Sequence, residues 1–509
     1  MSIKQHLTRY LGFFLVCFAT LRAEDQPQWG TAWNRNMISA ETGLPAHFDP
    51  DTGTNIRWKV PLGTEAHSSP VVSGGHVFIG TNNHQPRDPK HQGDRGVLMC
   101  FDELTGELQW QLVVPKREED RYFDWPRSGI SSPATVEGDR VYVVTNRGEV
   151  VCLDAQGLSN GNQGPFMDEA RHMTPQGSEP LELGDLDADI LWMFDLTQEA
   201  GIWSHDGAHS SILINGPHLY LNTATGVDNT HKKIRTPNAP SLVVLDKETG
   251  TYLARENEGN APNIFHCTWS APAMTRVNGQ ETIWFAGGDG IVYGYDPIPF
   301  SIKAPDQPLH LNRVWRYDFD PTAPKEDVHR YNQNRREGPS NIFGMPVMDG
   351  DHMYIAGGGD LWWGKIGAWL KCITPSRDGD ADQSSIKWTF PLERHVMSTP
   401  AVTDDLVFIA DCGKNVFCLD KSNGKQLWQH SAKGEFWASP YVADGKVYIG
   451  SRRGDFMILA ATREKQLLNE ADLGAPVSAT ACAANGRLFV ATMTALYCLE
   501  VESQGVNNL

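Results

Sequence analysis

The chain repeats one pattern of apolar and polar positions. A pair of small residues meets a proline, two apolar residues follow, a polar turn intervenes, and an apolar run ends in a small residue. His67 to Gly80 reads HSSPVVSGGHVFIG, and Trp437 to Gly450 reads WASPYVADGKVYIG. The triplet recurs as Ser68-Ser69-Pro70, Ser131-Ser132-Pro133, Ser270-Ala271-Pro272, Ser398-Thr399-Pro400 and Ala438-Ser439-Pro440. Weaker copies are Ser210-Ser211-Ile212, Gly344-Met345-Pro346 and Ser478-Ala479-Thr480. After each triplet the alternation predicts two strands, the second exemplified by RVYVV, HLYLN, LVFIAD and KVYIG. A third strand often ends in Asp, as in CFDELTGELQW. Its Thr-Gly or Asn-Gly turn leads into a fourth strand carrying Trp110, Trp192, Trp315, Trp388 or Trp428.

Four short strands per unit and eight units, none able to bury both its faces alone, predict an all-β, eight-bladed β-propeller of four-stranded antiparallel blades. The eighth copy stops at LYCLEV with no Trp strand behind it. NIRWKV, with Trp58, lies at the other end and supplies the missing strand, so the ring is predicted to close through an N-terminal strand. That closure removes an exposed sheet edge. The predicted organisation is a signal peptide over 1–23, an N-terminal extension over 24–54, the propeller over 55–501 and a tail over 502–509.

Composition then narrows the class. Charged residues are 21% and hydrophobic ones 40% of 509, a globular balance. A formal net charge of −18 argues against a nucleic-acid partner, because phosphate binding needs a basic surface. At the N-terminus Lys4 and Arg9 precede the apolar run LGFFLVCFATL, and Ala23 stands before Glu24 where a signal peptidase cuts. The run is too short to span a bilayer, so it predicts export to the periplasm or beyond, without a transmembrane segment. Cys17 lacks the flanking small residues of a lipid-attachment signal. Of the nine cysteines, Cys100, Cys152, Cys372, Cys418 and Cys498 hold one equivalent place in separate repeats. Equivalent places lie far apart in space, so disulfides are not expected; no zinc-type Cys/His spacing occurs.

The combination of small-small-Pro, VYIG, CLD, TG and Trp resembles the pyrroloquinoline-quinone (PQQ) type propeller repeat, whose members include quinoprotein dehydrogenases and BamB. ETGLP…NIRWKVPLG followed by SSPVV is similar to exported PQQ-like propeller proteins of the planctomycete type. The resemblance implies either a binding scaffold of the cell envelope or a PQQ-dependent oxidoreductase holding PQQ with calcium and acting on alcohols or sugars. The adjacent Cys-Cys pair of the quinoprotein alcohol dehydrogenases has no counterpart here, and their calcium-binding Glu, Asn and Asp have no matched positions. Both departures favour the scaffold, presenting its loops to an envelope protein or a glycan.

In a four-stranded blade, the blade-to-blade loop and the loop between strands two and three emerge on one face. That face receives TNNHQPRDPKHQGDRG, PKREEDRYFDWPRS, TATGVDNTHKKIRTPNAP and PTAPKEDVHRYNQNRREGPS, rich in basic and aromatic residues. The residues just before each triplet converge on the channel mouth there: Glu65, His67, Arg127, Asp206, His209, His266, Trp269, Asn341, Arg394, His395, Glu435 and Trp437. Polar groups gathered around a concave aromatic site mark a binding site. Trp125, Trp269, Trp362, Trp363 and Trp437 fall outside the one-per-blade rhythm and are candidates for stacking on a flat ring. Arg127 and Arg394 point to an anionic ligand. Other motifs carry less. His205 and His209 flank the start of an inner strand, where helical metal-ligand spacing has no meaning. Asp378, Asp380 and Asp382 alternate as in calcium loops, but the bidentate Glu is missing. FAGGDGIVYGY and IAGGGDLWWG lie between strands, with no helix N-terminus behind them to hold a phosphate. Cys267 beside His266 reads as a buried structural thiol.

Overall fold

The computed structural model describes residues 24–117, 123–207 and 210–502. The predicted signal segment, His209 and nearly all of the predicted tail lie outside the described residues. Eight separate sheets, each with four antiparallel strands and two of them with a fifth strand added in parallel, make eight blades around a central channel. Blade 1 consists of Val71–Ser73, His76–Asn82, Arg95–Asp102 and Leu108–Pro115, from the channel outward. The inner strands of blades 2 to 7 are Thr135–Glu137, Leu213–Asn215, Ala273–Val277, Val347–Asp349, Ala401–Val402 and Tyr441–Ala443. Blade 8 takes Cys482–Ala484, Arg487–Ala491 and Ala495–Leu499 from the C-terminal end and Ile56–Pro61 from the N-terminal end. Trp58 pairs with Cys498 and Pro61 with Ala495, which closes the ring. Among the described residues no helix is long and apolar enough to cross a membrane.

A fourth-strand tryptophan docks five of the eight blades on the next. The indole Nε1–H of Trp58, Trp110, Trp192, Trp388 and Trp428 donates to the backbone carbonyl of Glu103, Ala155, Lys247, Lys421 and Thr462, at 2.8–3.0 Å. Each acceptor belongs to the outer turn of the following blade. Four of these turns lay a glycine against the ring, namely Gly106, Gly157, Gly250 and Gly424. Gly250 shows why: its φ is +72°, and a Cβ there would stand 2.5 Å from the Trp192 ring.

The rhythm breaks where the receiving turn changes. In blade 3 Ala254, opposite Val244, takes the position that Trp110 holds opposite Cys100 in blade 1, and the outer turn of blade 4 that it faces is a long excursion. Part of that excursion, Leu309–His310, pairs with Tyr252–Arg255 as a fifth strand. In the same way Gly379–Ala381, from the outer turn of blade 5, pairs with Arg313–Asp318 of blade 4. Trp315 there is buried with no partner for its Nε1, and packs edge-on against Trp284 instead. The two excursions cover blade edges that would otherwise expose backbone groups.

The N-terminal extension does more than lead into the ring. It crosses the channel and satisfies the inner edges of the blades. The N–H groups of Val72, Val136, Met274, Met348 and Val442 donate to the carbonyls of Gln26, Pro27, Trp33, Asn34 and Met37. Val402 exchanges two bonds with the Asn36 amide, and the Trp33 indole donates to Ile214. Arg35 is fully buried within this plug. It donates to Pro272 O, Trp29 O and Ser211 Oγ, and burial lowers its pKa to about 9.

All eight cysteines of the described residues are free, and all but Cys412 are buried. Thiol titration of the denatured, unreduced protein is expected to find eight reactive thiols; six or more oxidised ones contradict this structure. Trp192→Ala is expected to cost about 3–5 kcal/mol in urea unfolding, and Gly250→Ala more than about 1 kcal/mol through its left-handed backbone and the ring contact. A Gly250→Ala protein as stable as the parent rules out this docking geometry.

Candidate functional site

The plug turns the channel into a blind cup. Its cavity, of about 440 Å³, lies within the range of small-molecule sites. The walls are the residues that enter each inner strand, with contributions from the loops between second and third strands. Trp29 of the plug lines its base. Six tryptophans line it in all: Trp29, Trp125, Trp269, Trp362, Trp363 and Trp437. Trp362 stands among them with its ring edge-on to His266, Trp269 and Trp437, at centroid distances of 5.3, 5.4 and 5.7 Å. Trp269 packs on Phe343 at 4.7 Å, and His67 stacks on Trp437 at 6.0 Å.

Of the twelve positions expected at the mouth, Glu65, His67, Asp206, His266, Trp269 and Trp437 line the cavity, while Arg127, Asn341, Arg394, His395 and Glu435 are not among its lining residues and His209 lies outside the described residues. Arg127 is exposed, and its backbone is tied to Asn82 and Asp94. Arg394 is exposed, its N–H donating to Asp411. Asn341 exchanges backbone bonds with Gly358, and the His395 Nε2–H donates to the Lys365 carbonyl. Glu435 accepts the Trp437 indole N–H at 3.1 Å and so fixes that wall. The five tryptophans outside the repeat rhythm all line the cup.

Sequence reasoning missed His231, Arg452, Phe343 and Trp29 in the lining, and Asp360 behind it. His231 and Asp360 lie on long loops, Arg452 on the short turn between the second and third strands of blade 7, Trp29 in the N-terminal extension, and Phe343 directly before a weaker copy of the triplet. Arg452 lies over the Trp437 ring at 4.3 Å and donates to Ser478 Oγ at 2.6 Å.

One wall concentrates the titratable groups. His205, His231 and His266 stand with ring centroids 4.7–5.7 Å apart. His205 is fully buried, its Nδ1–H donating to the Val227 carbonyl at 2.8 Å. Burial, reinforced by its two neighbouring histidines, holds its pKa well below the usual imidazole range. His266 Nδ1 lies 2.8 Å from Asp360 Oδ2. Burial alone would lower the His266 pKa, but the Asp360 carboxylate outweighs it and raises it. Asp360 is itself buried, yet His266 and the N–H groups of Trp362 and Trp363 keep its carboxyl below the ordinary value. Asp206, at a left-handed φ of 61°, has its pKa raised to about 6 by burial and by Asp360.

PQQ with calcium, the cofactors implied by the repeat, does not fit these residues. PQQ carries several carboxylates, whereas the lining holds Glu65 and Asp206, and its one guanidinium, Arg452, is already engaged. The acidic run suggested for calcium belongs elsewhere. Asp380 is part of the fifth strand of blade 4, paired to Arg313 at 2.7 Å and Arg316 at 3.8 Å. Asp382 caps the short turn Gln383–Ser385 through Ser384, and Asp378 is exposed beside them. The Asp380 carboxylate is thus engaged by arginines and that of Asp382 by Ser384, and Gly379–Ala381 forms a sheet edge.

A family model described as outer membrane protein assembly factor BamB matches residues 26–157 and 377–469. No curated protein matches the chain. Solved structures similar to it include BamB from Moraxella catarrhalis, at 13% identity and a TM-score of 0.49, over 88% of this chain and 98% of that one. Quinohemoprotein alcohol dehydrogenase from Comamonas testosteroni aligns at 13% identity and a TM-score of 0.45, over 95% and 81% of the two chains. The computationally designed Ika8 protein aligns at 11% identity and 0.49, over 91% and 99%.

Proposed function

We propose, from the premise that the chain is a PQQ-like β-propeller, that it is a binding propeller of the cell envelope whose cup takes a hydroxyl-rich ring of the sugar class. The observation that carries this is the lining of six tryptophans around a cavity closed at its base. Aromatic faces stack on the apolar faces of a saturated ring, while its hydroxyls need acceptors and donors close by. Glu65, Asp206, His67 and the hydroxyls of Ser69, Ser128, Ser131, Ser210 and Ser478 supply them along the same lining.

An anionic ligand has less support than the sequence suggested. Arg127 and Arg394, on which that expectation rested, are not lining residues, and two carboxylates are. Envelope location is inferred from the signal-like segment 1–23, and the acidic net charge of −18 is in keeping with a ligand other than nucleic acid.

Neutral and acidic oligosaccharides titrated against the mature chain, followed by intrinsic tryptophan fluorescence and calorimetry, test the proposal. Neutral ones are expected to bind, and Trp362→Ala to weaken them by about tenfold or more, equivalent to about 1.4 kcal/mol, with an unaltered thermal midpoint. Oligosaccharides that bind the Trp362→Ala protein as well as the parent, or bind neither, contradict it.

A further inference from the structure

The histidine wall of the cup has polar atoms that its own contacts do not satisfy. His205, His231 and His266 each bring one ring nitrogen to a common point, all within 4.8 Å of one another. Two of the rings are oriented from behind. His205 spends its Nδ1–H on the Val227 carbonyl, and His266 holds its Nδ1 against Asp360. That leaves both Nε2 atoms on the inner side, buried and without a hydrogen-bond partner. The Asp206 carboxylate stands 3.4 Å from the Nε2 of His205 and 3.9 Å from that of His266, and its Oδ1 is likewise buried without a partner. The His205 tautomer fixed by Val227 turns a lone pair, not a proton, toward that carboxylate. Buried polar atoms are normally paired, and two acceptors facing each other call for a positive charge between them.

We propose that His205, His231 and His266 bind one divalent first-row transition-metal ion of the zinc class, with Asp206 beside it and a remaining coordination position open to the cup. Imidazole nitrogens with a single carboxylate select such ions over calcium or magnesium, which take oxygen ligands. Outer hydrogen bonds from a backbone carbonyl and a carboxylate to the far nitrogens are how proteins orient metal-bound histidines. A tetrahedral site with bonds of about 2.0–2.1 Å places its nitrogens roughly 3.4 Å apart, so the donors have to close by up to roughly 1.4 Å. His231 can supply much of that movement, being half-buried on a loop and held at a left-handed φ of 56°. Asp206, His231 and His266 line the cavity, so an ion held there meets whatever enters the cup. Cys267, although next to His266, takes no part; burial pushes its thiol well above the usual range, and a thiolate is what a metal needs.

This site goes beyond ring binding and does not depend on it, because the ion is measured with no sugar present. The mature chain is stripped with a chelator, dialysed, and titrated with Co(II) by visible absorption, then with Zn(II) in competition. The expected result is one Co(II) per chain with the d–d band of a nitrogen-ligated tetrahedral site, displaced by Zn(II). His231→Ala, on its half-exposed loop, is expected to weaken binding by at least about a hundredfold. Asp360→Asn, which positions His266 from behind and keeps an oxygen for the Trp362 and Trp363 N–H groups, is expected to weaken it about 10–100-fold. His47→Ala, at an exposed histidine far from the cluster in the sequence, leaves affinity unchanged. The thermal midpoint in chelator reports whether each variant remains folded. A parent protein that binds Co(II) and Zn(II) no more tightly than His231→Ala overturns the proposal and leaves a protonated hydrogen-bonded cluster. So does tight binding that survives His205→Ala and His231→Ala together.

Discussion

The indole of one blade seated on the outer turn of the next is the contact on which the structure depends. A four-stranded blade buries its faces only against its neighbours, so the ring exists only if successive blades dock in register. Each indole meets two demands together. Its ring covers apolar area between sheets, and its N–H satisfies a carbonyl that the docking would otherwise strand. The glycine facing the ring is the other half of the contact, since no side chain fits where Gly250 meets Trp192. The exceptions obey the same constraint. Blade 7 has no such tryptophan, and the blade after it has no outer turn to receive one, because its last strand comes from the N-terminus.

Once the ring closes, its axis is a channel lined by the inner edges of eight sheets. Those edges carry backbone groups with no partner of their own, and the segment around residues 26–37 pairs with them. The same act blocks one end of the channel and leaves the other as a cup. The chemistry follows from that geometry. Many of the residues entering the inner strands face the axis, among them Glu65, His67, Asp206, His266, Trp269 and Trp437, and an aromatic lining with a histidine wall results. The cluster carries unmet polar demand because its outer bonds to Val227 and Asp360 aim two nitrogens inward, where the protein itself offers no donor.

The repeat itself was legible. Its period is set by local features, namely the small-small-Pro start, the Gly turn and the Trp, and each appears in the sequence where its strand needs it. Closure through Trp58 followed from counting strands. The equivalent placement of Cys100, Cys152, Cys372, Cys418 and Cys498 in separate blades likewise removed disulfides from consideration. The cup was legible only in part, because position in a strand predicts which way a residue faces, while position in a loop does not. Glu65, His67, His266, Trp269 and Trp437 precede inner strands and were found that way. His231 and Asp360 lie on long loops, and only the folded loop brings them against His266. Arg127 and Arg394 precede triplets as well, yet both are exposed and neither lines the cup. The plug left no periodic trace, since its carbonyls pair one by one with inner strands spread from Val72 to Val442.

That plug is what makes a channel into a site, and amide hydrogen exchange tests it most directly. The inner-strand amides of Val72, Val136, Met274, Met348, Val402 and Val442 have no other partner on the axial side. They are expected to exchange only as slowly as the central strands of their blades, through global unfolding. Exchange of these amides at the rate of exposed loop residues, in a protein whose central strands remain protected, would show an open channel and contradict the cup.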